Sequence, residues 1–149
     1  MRYVCGLVFN KSKRDMLFVR KINPEWQFGY LNGVSGKIEE NDTSPVDAMV
    51  REFVEETGVS TFSPDWEHIL TMNVEGNIVY FFKTYLDDLE LVKLDGKRND
   101  IGELLAVCRI ALIDNITCIF NLQWIIPLAL SPMEFPIKCT ELVKGGFDN

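Results

Sequence analysis

The stretch REFVEETGV, residues 51–59, decides how this chain is read. It ends a segment with helix signals at both ends. Ser44 is a good N-cap, Pro45 suits the first helical position, and Asp47 stands three residues after the cap. Val46, Met49, Val50, Phe53 and Val54 recur at helical spacing as an apolar stripe. Gly58 is placed to end the helix in a left-handed conformation, so the pattern predicts a helix over 45–57. On that helix Glu52, Glu55 and Glu56 fall at i, i+3 and i+4 and project from one face. Like charges so close repel by roughly a few tenths of a kcal/mol per contact. A divalent cation would relieve the repulsion, and Mg²⁺ and Mn²⁺ prefer such hard oxygen ligands. Three acids on an arbitrary helix are more often a solvated face. The context here differs: Arg51 flanks them, Gly58 closes the helix, and a turn with Gly33 and Gly36 lies upstream.

Outward from the helix, residues 2–9 and 16–20 read as two strands of a hairpin with a charged connection. Residues 23–36 mix aromatics with Gly and Pro and read as a loop with a short extended piece. Trp26, Phe28 and Tyr30 alternate in it, either lining a pocket or packing under the sheet. Residues 68–74 and 77–86 read as strands about a turn at Glu75-Gly76-Asn77. The acidic stretch 87–103 reads as a mobile loop, 104–110 as a short strand, and 121–130 as a helix containing Pro127. A single domain over 1–149 is expected, with 131–149 as a partly ordered tail that frays.

Composition narrows the partners. The chain has 149 residues, 47% hydrophobic and 25% charged, as one globular domain requires. A net charge of −7 disfavours wrapping long nucleic acid, which calls for a basic face. The basic groups Lys11, Lys13, Arg14 and Lys97, Arg98 sit among turn formers and read as solvated loops. An acidic protein still binds small phosphorylated ligands where a divalent cation mediates. Cys5, Cys108, Cys118 and Cys139 have no Cys-x-x-Cys spacing, and His68 is the sole histidine, which argues against zinc. No nucleophile motif stands near His68, which disfavours a triad hydrolase. There is no signal-type segment and no apolar run long enough to span a membrane, so a cytoplasmic location with reduced thiols is expected.

Gly36, the KIEEND loop and REFVEETGV together resemble the Nudix box of Nudix hydrolases. That pattern is Gly, five residues, Glu, seven residues, then Arg-Glu-hydrophobic-x-Glu-Glu-x-Gly-hydrophobic. Arg51 to Val59 match every fixed position. The loop half departs: Asp42 stands in place of Glu, eight residues separate it from Arg51, and the turn is Ser35-Gly36 rather than Gly-Gly. The resemblance implies an α/β fold, a Nudix-type α/β/α sandwich with a mixed sheet and a strand-loop-helix box. It implies that Glu52, Glu55 and Glu56 bind metal together with the Ser35 carbonyl, and that Arg51 orients the first glutamate. Asp42 would help hold the box together, with Gly36 and Gly58 as structural positions. Glu55 or Glu56 would serve as general base, and Glu103 is the match to an extra acidic ligand, with a solvated loop acid as its alternative. The implied cofactor is Mg²⁺, with Mn²⁺ possible, and a homodimer is compatible with the family.

Residues 26–39, WQFGYLNGVSGKIE, also resemble the W-N-G-x-G-G-K stretch of the 8-oxo-dGTP diphosphatase branch, with Leu31 in place of Trp. This implies that Asn32 contacts the base, with Lys37 on the substrate side. Asn32-Gly33 can equally be a turn dipeptide. Asn121 matches a base-facing position before the closing helix, and Trp124 either stacks on the base or belongs to the core. The expected reaction is Mg²⁺-dependent hydrolysis of a nucleoside diphosphate-linked compound, foremost a purine nucleoside triphosphate, oxidised or not, to monophosphate and pyrophosphate. The alternatives are ADP-ribose, a dinucleoside polyphosphate or a capped RNA end, or a non-catalytic nucleotide-binding module.

Overall fold

The computed structural model describes residues 1–115, 118–119 and 121–137. Its strands are β1 (Arg2–Asn10), β2 (Asp15–Arg20), β3 (Leu31–Asn32), β4 (Val34–Lys37), β5 (Glu67–Val74), β6 (Asn77–Leu86) and β7 (Leu104–Arg109). The helices are α1 (Pro45–Thr57), α2 (Asp88–Val92) and α3 (Leu122–Leu130). The sheet runs β3-β2-β1-β6-β5, with β4 also paired to β1 and β7 to β2. The β1–β6 pair is parallel and the others are antiparallel, so the sheet is mixed.

The continuous apolar run of β1 follows from burial on both faces. Cys5, Leu7 and Phe9 pack with Leu122, Ile125, Ile126 and Ala129 of α3. Val4 and Val8 face the other way, with Ala48, Met49 and Phe53 of α1 and Leu91 of α2. Helices thus cover both faces, giving the α/β/α sandwich. Gly6 lets α1 come close: a Cβ there would lie 2.8 Å from Met49 Cε and 2.9 Å from Trp66 Cζ3. The fully buried Phe53 meets Trp66 edge-on, with centroids 5.3 Å apart. Burying a side chain of this size stabilises the fold by about 2–3 kcal/mol.

α1 has the expected bounds. Ser44 Oγ accepts from the Asp47 backbone N–H at 3.3 Å, and Gly58 ends the helix at φ 77°. Its buried stripe is shifted, however: Ala48 is buried, whereas Val54 is 40% exposed. The 87–103 stretch is not a free loop. Leu91 and Leu94 insert into the α1-side core, α2 forms, and Asp87 and Asp88 pair with Lys11 and Arg14 of the β1–β2 connection. Trp26, Phe28 and Tyr30 do not alternate in an extended strand, because Glu25–Gln27 is a 3-10 turn and all three aromatics are exposed. Trp124 is 45% exposed and therefore not a core residue. His68 lies on the edge strand β5, bonded to Thr71 Oγ1 at 2.8 Å. Of the segment after α3, residue 137 is docked by an Ile137 N–H to Ile69 carbonyl bond of 2.7 Å, while Cys139 and the rest of 138–149 lie outside the described residues.

Candidate active site

β4, the loop 38–44 and α1 bring the expected residues together. Arg51 is the centre of one group. Its Nε and Nη2 each donate at 2.9 Å to the two Asp42 oxygens. Its Nη1 donates to Glu52 Oε1 at 3.0 Å and Glu55 Oε1 at 3.2 Å, and Nη2 also donates to the Lys37 carbonyl at 3.0 Å. The shorter Asp42 reaches Arg51 with both oxygens despite the additional loop residue, and also accepts from the Glu39 N–H at 2.8 Å. The Arg51 guanidinium holds the Asp42 carboxyl below its usual range, although partial burial opposes this. The guanidinium itself is held protonated, chiefly by Asp42.

Glu52 is 8% exposed and lies directly against Gly36 of β4. A Cβ on Gly36 would collide with the Glu52 carboxylate, so any larger residue there requires that carboxylate to move from its place. Burial pushes the Glu52 carboxyl up to about 7, against the pull of Arg51 and with Glu55 and Glu56 adding to the rise. Glu55 is exposed beside Arg51.

Glu56 turns to a second group. Its Oε2 accepts from Asn99 Nδ2, which also donates to Glu103 Oε1 at 3.1 Å. Burial raises the Glu56 carboxyl, while Asn99 and Lys21 lower it and Glu103 and Glu55 raise it further. Glu103 is only 1% exposed, which removes the solvated-acid alternative. It accepts from the Ile22 N–H at 2.8 Å, and Lys21 Nζ lies 3.4 Å from each of its oxygens. Burial alone would raise its carboxyl, but the bonds from Ile22, Asn99 and Lys21 outweigh it and leave the group below its ordinary value. Sequence reasoning missed Lys21 and Asn99. The available signals were the basic residue just past β2 and the Asn-x-x-Gly-Glu turn.

Between these acids and the 97–100 turn lies a cavity of about 340 Å³, lined by Glu55, Glu56, Lys97, Arg98 and Asn99 among others. The cations read as solvated loop residues therefore stand across from the carboxylate helix. Among the described residues, no three His, Cys, Asp or Glu side chains converge on one point as a metal ion would require. Instead Glu52 and Glu55 rest on Arg51, and Glu56 rests on Asn99. The donor chemistry nevertheless fits a hard divalent cation. All the side-chain donors are carboxylates, and buried Glu52, its carboxyl raised, lacks full compensating charge.

The expected base-reading residues fall elsewhere along the sheet. Asn32 of β3 donates to Gln27 Oε1 at 3.1 Å and accepts from the Gly33 N–H at 2.8 Å and from the Cys5 thiol at 3.8 Å. Ile119 N–H donates to the Leu31 carbonyl at 2.9 Å, so the chain entering α3 passes beside β3. Asn121 follows directly, and its buried Oδ1 has no hydrogen-bond partner among the described residues. Trp124 is open to solvent one turn on, and the Lys37 side chain is exposed at the end of β4.

The sequence matches the NUDIX domain family over residues 1–112. No curated protein matches it. Among solved structures, one from a study of MutT of Aliivibrio salmonicida and Vibrio cholerae is 20% identical, with a TM-score of 0.67 over 88% of this chain and 100% of that one. The NUDIX domain of Shewanella oneidensis NrtR, complexed with ADP ribose, is 16% identical, with a TM-score of 0.70 over 87% and 86%. A MutT protein from Bacillus halodurans is 17% identical, with a TM-score of 0.60 over 85% and 79%. At these identities the solved structures speak for the fold. The family match covers three quarters of the chain, including the carboxylate helix, its arginine and its glycine turn, and this chain therefore belongs to the Nudix family as a Nudix-type pyrophosphohydrolase.

Proposed function

We propose that the protein hydrolyses a purine nucleoside triphosphate, with oxidised purines as leading candidates, to the monophosphate and pyrophosphate with Mg²⁺. The observation that supports the purine reading is the buried Asn121 Oδ1, without a hydrogen-bond partner among the described residues, two residues after Ile119, whose N–H bonds to Leu31 of the strand that bears Asn32. A buried carbonyl oxygen without a donor costs about 1–3 kcal/mol. A purine edge would supply a donor once the segment leading into α3 opens, because Oδ1 is closed to solvent, and the exposed Trp124 offers an aromatic face nearby in sequence. Asn32 would lend its amide once Gln27 releases it.

The proposed ligands are Glu52, Glu55, Glu56, the Ser35 carbonyl and Glu103. A bound divalent cation would neutralise phosphate oxygens and lower the pKa of water. Arg51 aims Glu52 and Glu55. Glu56, whose carboxyl burial raises above its ordinary value, is the proposed acceptor of the proton from the attacking water, with Glu55 as the other candidate base. The water oxygen bonds to one of the two phosphorus atoms of the α–β bridge, that phosphorus loses its bond to the bridging oxygen, and the bridging oxygen stays with the other, giving monophosphate and pyrophosphate. Lys37 and the cations of the 97–100 turn supply positive charge on the phosphate side.

Net charge −7 favours a small nucleotide over long nucleic acid. No helix among the described residues is long and apolar enough to cross a membrane, and a cytoplasmic location is proposed from the free cysteines Cys5, Cys108 and Cys118. The test is a panel of nucleotides with Mg²⁺, products separated by chromatography. Monophosphate from an oxidised or ordinary purine triphosphate is the expected result. AMP and ribose phosphate from ADP-ribose would move the substrate to the alternative. Asn32→Ala is expected to raise KM for the preferred purine nucleotide more than for a pyrimidine one, and an equal rise would remove Asn32 from base reading.

A further inference from the structure

Asn99 has every polar group committed. Its backbone N–H donates to the Glu103 carbonyl at 3.0 Å, and its carbonyl accepts from the Gly102 N–H at 3.0 Å. Its Oδ1 accepts from the N–H groups of Glu103, at 2.8 Å, and Ile101, at 3.2 Å. Two N–H donors at Oδ1 fix which end of the amide is which. The Nδ2 group is thereby forced toward the acids, where its two hydrogens meet Glu56 Oε2 and Glu103 Oε1. The two carboxylates come from distant parts of the chain, one on α1 and one at the start of β7, and both would repel without a shared donor. A neutral amide can join them without cancelling their charge, as a lysine in its place would.

We propose that Asn99 is a positioning residue of the hydrolytic centre: its side-chain amide clamps Glu56 of the helix to the buried Glu103 that precedes β7, so that the Glu56 carboxylate is held in place where it lines the cavity. This rests on the Nudix reading of the acids. The turn that carries Asn99 is built by the same side chain, so one residue sets both the shape of the 97–103 segment and the aim of Glu56. Asparagine is required rather than aspartate. An aspartate keeps the oxygen that accepts from Ile101 and Glu103, and so keeps the turn, but turns an oxygen rather than N–H donors toward the two acids.

Asn99→Asp and Asn99→Ala are the test, measured as full-length protein. Thermal melting reports folding, Mn²⁺ titration of the nucleotide-free protein by electron paramagnetic resonance reports cation affinity, and steady-state kinetics separate kcat from KM. Asn99→Asp is expected to fold with its turn kept, to melt below wild type because a third carboxylate then faces Glu56 and Glu103, and to lose about tenfold or more in kcat with KM little changed. Asn99→Ala is expected to bind Mn²⁺ at least about fivefold more weakly, the cost of releasing two acids from a shared donor. A purely structural turn would lower melting in Asn99→Ala and leave Asn99→Asp fully active. Wild-type kcat in Asn99→Asp overturns the proposal, as does wild-type Mn²⁺ affinity in a folded Asn99→Ala. If Asn99→Ala fails to fold, the kcat of Asn99→Asp decides alone. A wild-type protein that binds no Mn²⁺ overturns the site reading and this proposal together, whereas wild-type binding matched by both variants overturns only the role of Asn99.

Discussion

Two polar centres hold the acids of this site, and they work by different physics. Arg51 gathers Asp42, Glu52 and Glu55 with a positive charge. Asn99 gathers Glu56 and Glu103 with a neutral amide, and Lys21, 3.4 Å from each Glu103 oxygen, adds positive charge that also acts on Glu56. The arginine both aims and neutralises. The amide aims and leaves the charge in place. Burial nevertheless raises a carboxyl on each side, Glu52 beside the arginine, to about 7, and Glu56 beside the amide, and Arg51 also locks the box loop to the helix.

That contrast can be broken by substitution. The largest expected effect is on the amide side: Glu56→Gln should lower kcat by about 100-fold or more while the fold is retained, measured by steady-state kinetics beside a melting curve. Wild-type turnover in that variant would take Glu56 out of the chemistry. A smaller but still large effect is expected from Gly36→Ala. The added methyl meets the Glu52 carboxylate, so the variant should bind Mn²⁺ at least about tenfold more weakly or lose about 1–3 kcal/mol of stability. Unchanged affinity and melting would show that the Glu52 side chain swings aside without cost.

The mildest effect is on the arginine side and depends on pH. The Asp42 carboxyl is lower in the folded chain than its ordinary value of 3.8. Its ionised form therefore stabilises the fold fully above that value, and the contribution is lost as pH falls below it toward the lowered folded value. Asp42→Asn should melt below wild type at pH 7, by an amount equivalent to about 1–3 kcal/mol, and the two curves should converge below pH 3.8. A constant gap across that range would mean the carboxylate charge contributes nothing.

The arginine centre was largely legible in the sequence, and the amide centre was not. Ser44, Pro45 and Gly58 fix the helix locally, and helical spacing alone then collects Glu52, Glu55 and Glu56 with Arg51. Asp42 was legible only through the family pattern, because its pairing spans the loop. The 97–103 segment could not be read as ordered from its polarity. Its order comes from Leu91 and Leu94 entering a core built by distant residues, and from a turn closed by Asn99's own side chain. Similarly, the burial of Glu103 depends on Lys21 and Ile22, some eighty residues earlier in the chain. The aromatics of 22–30 misled for the opposite reason: their alternation mimics a strand, while a 3-10 turn and Gly29 at φ 81° direct them outward.

The most direct test of the account is phosphorus nuclear magnetic resonance of a purine nucleoside triphosphate incubated with the protein and Mg²⁺. The account predicts that the triphosphate signals give way to nucleoside monophosphate and pyrophosphate, and that added chelator stops the conversion. Release of single inorganic phosphate with nucleoside diphosphate, or intact triphosphate with Mg²⁺ present, would contradict it.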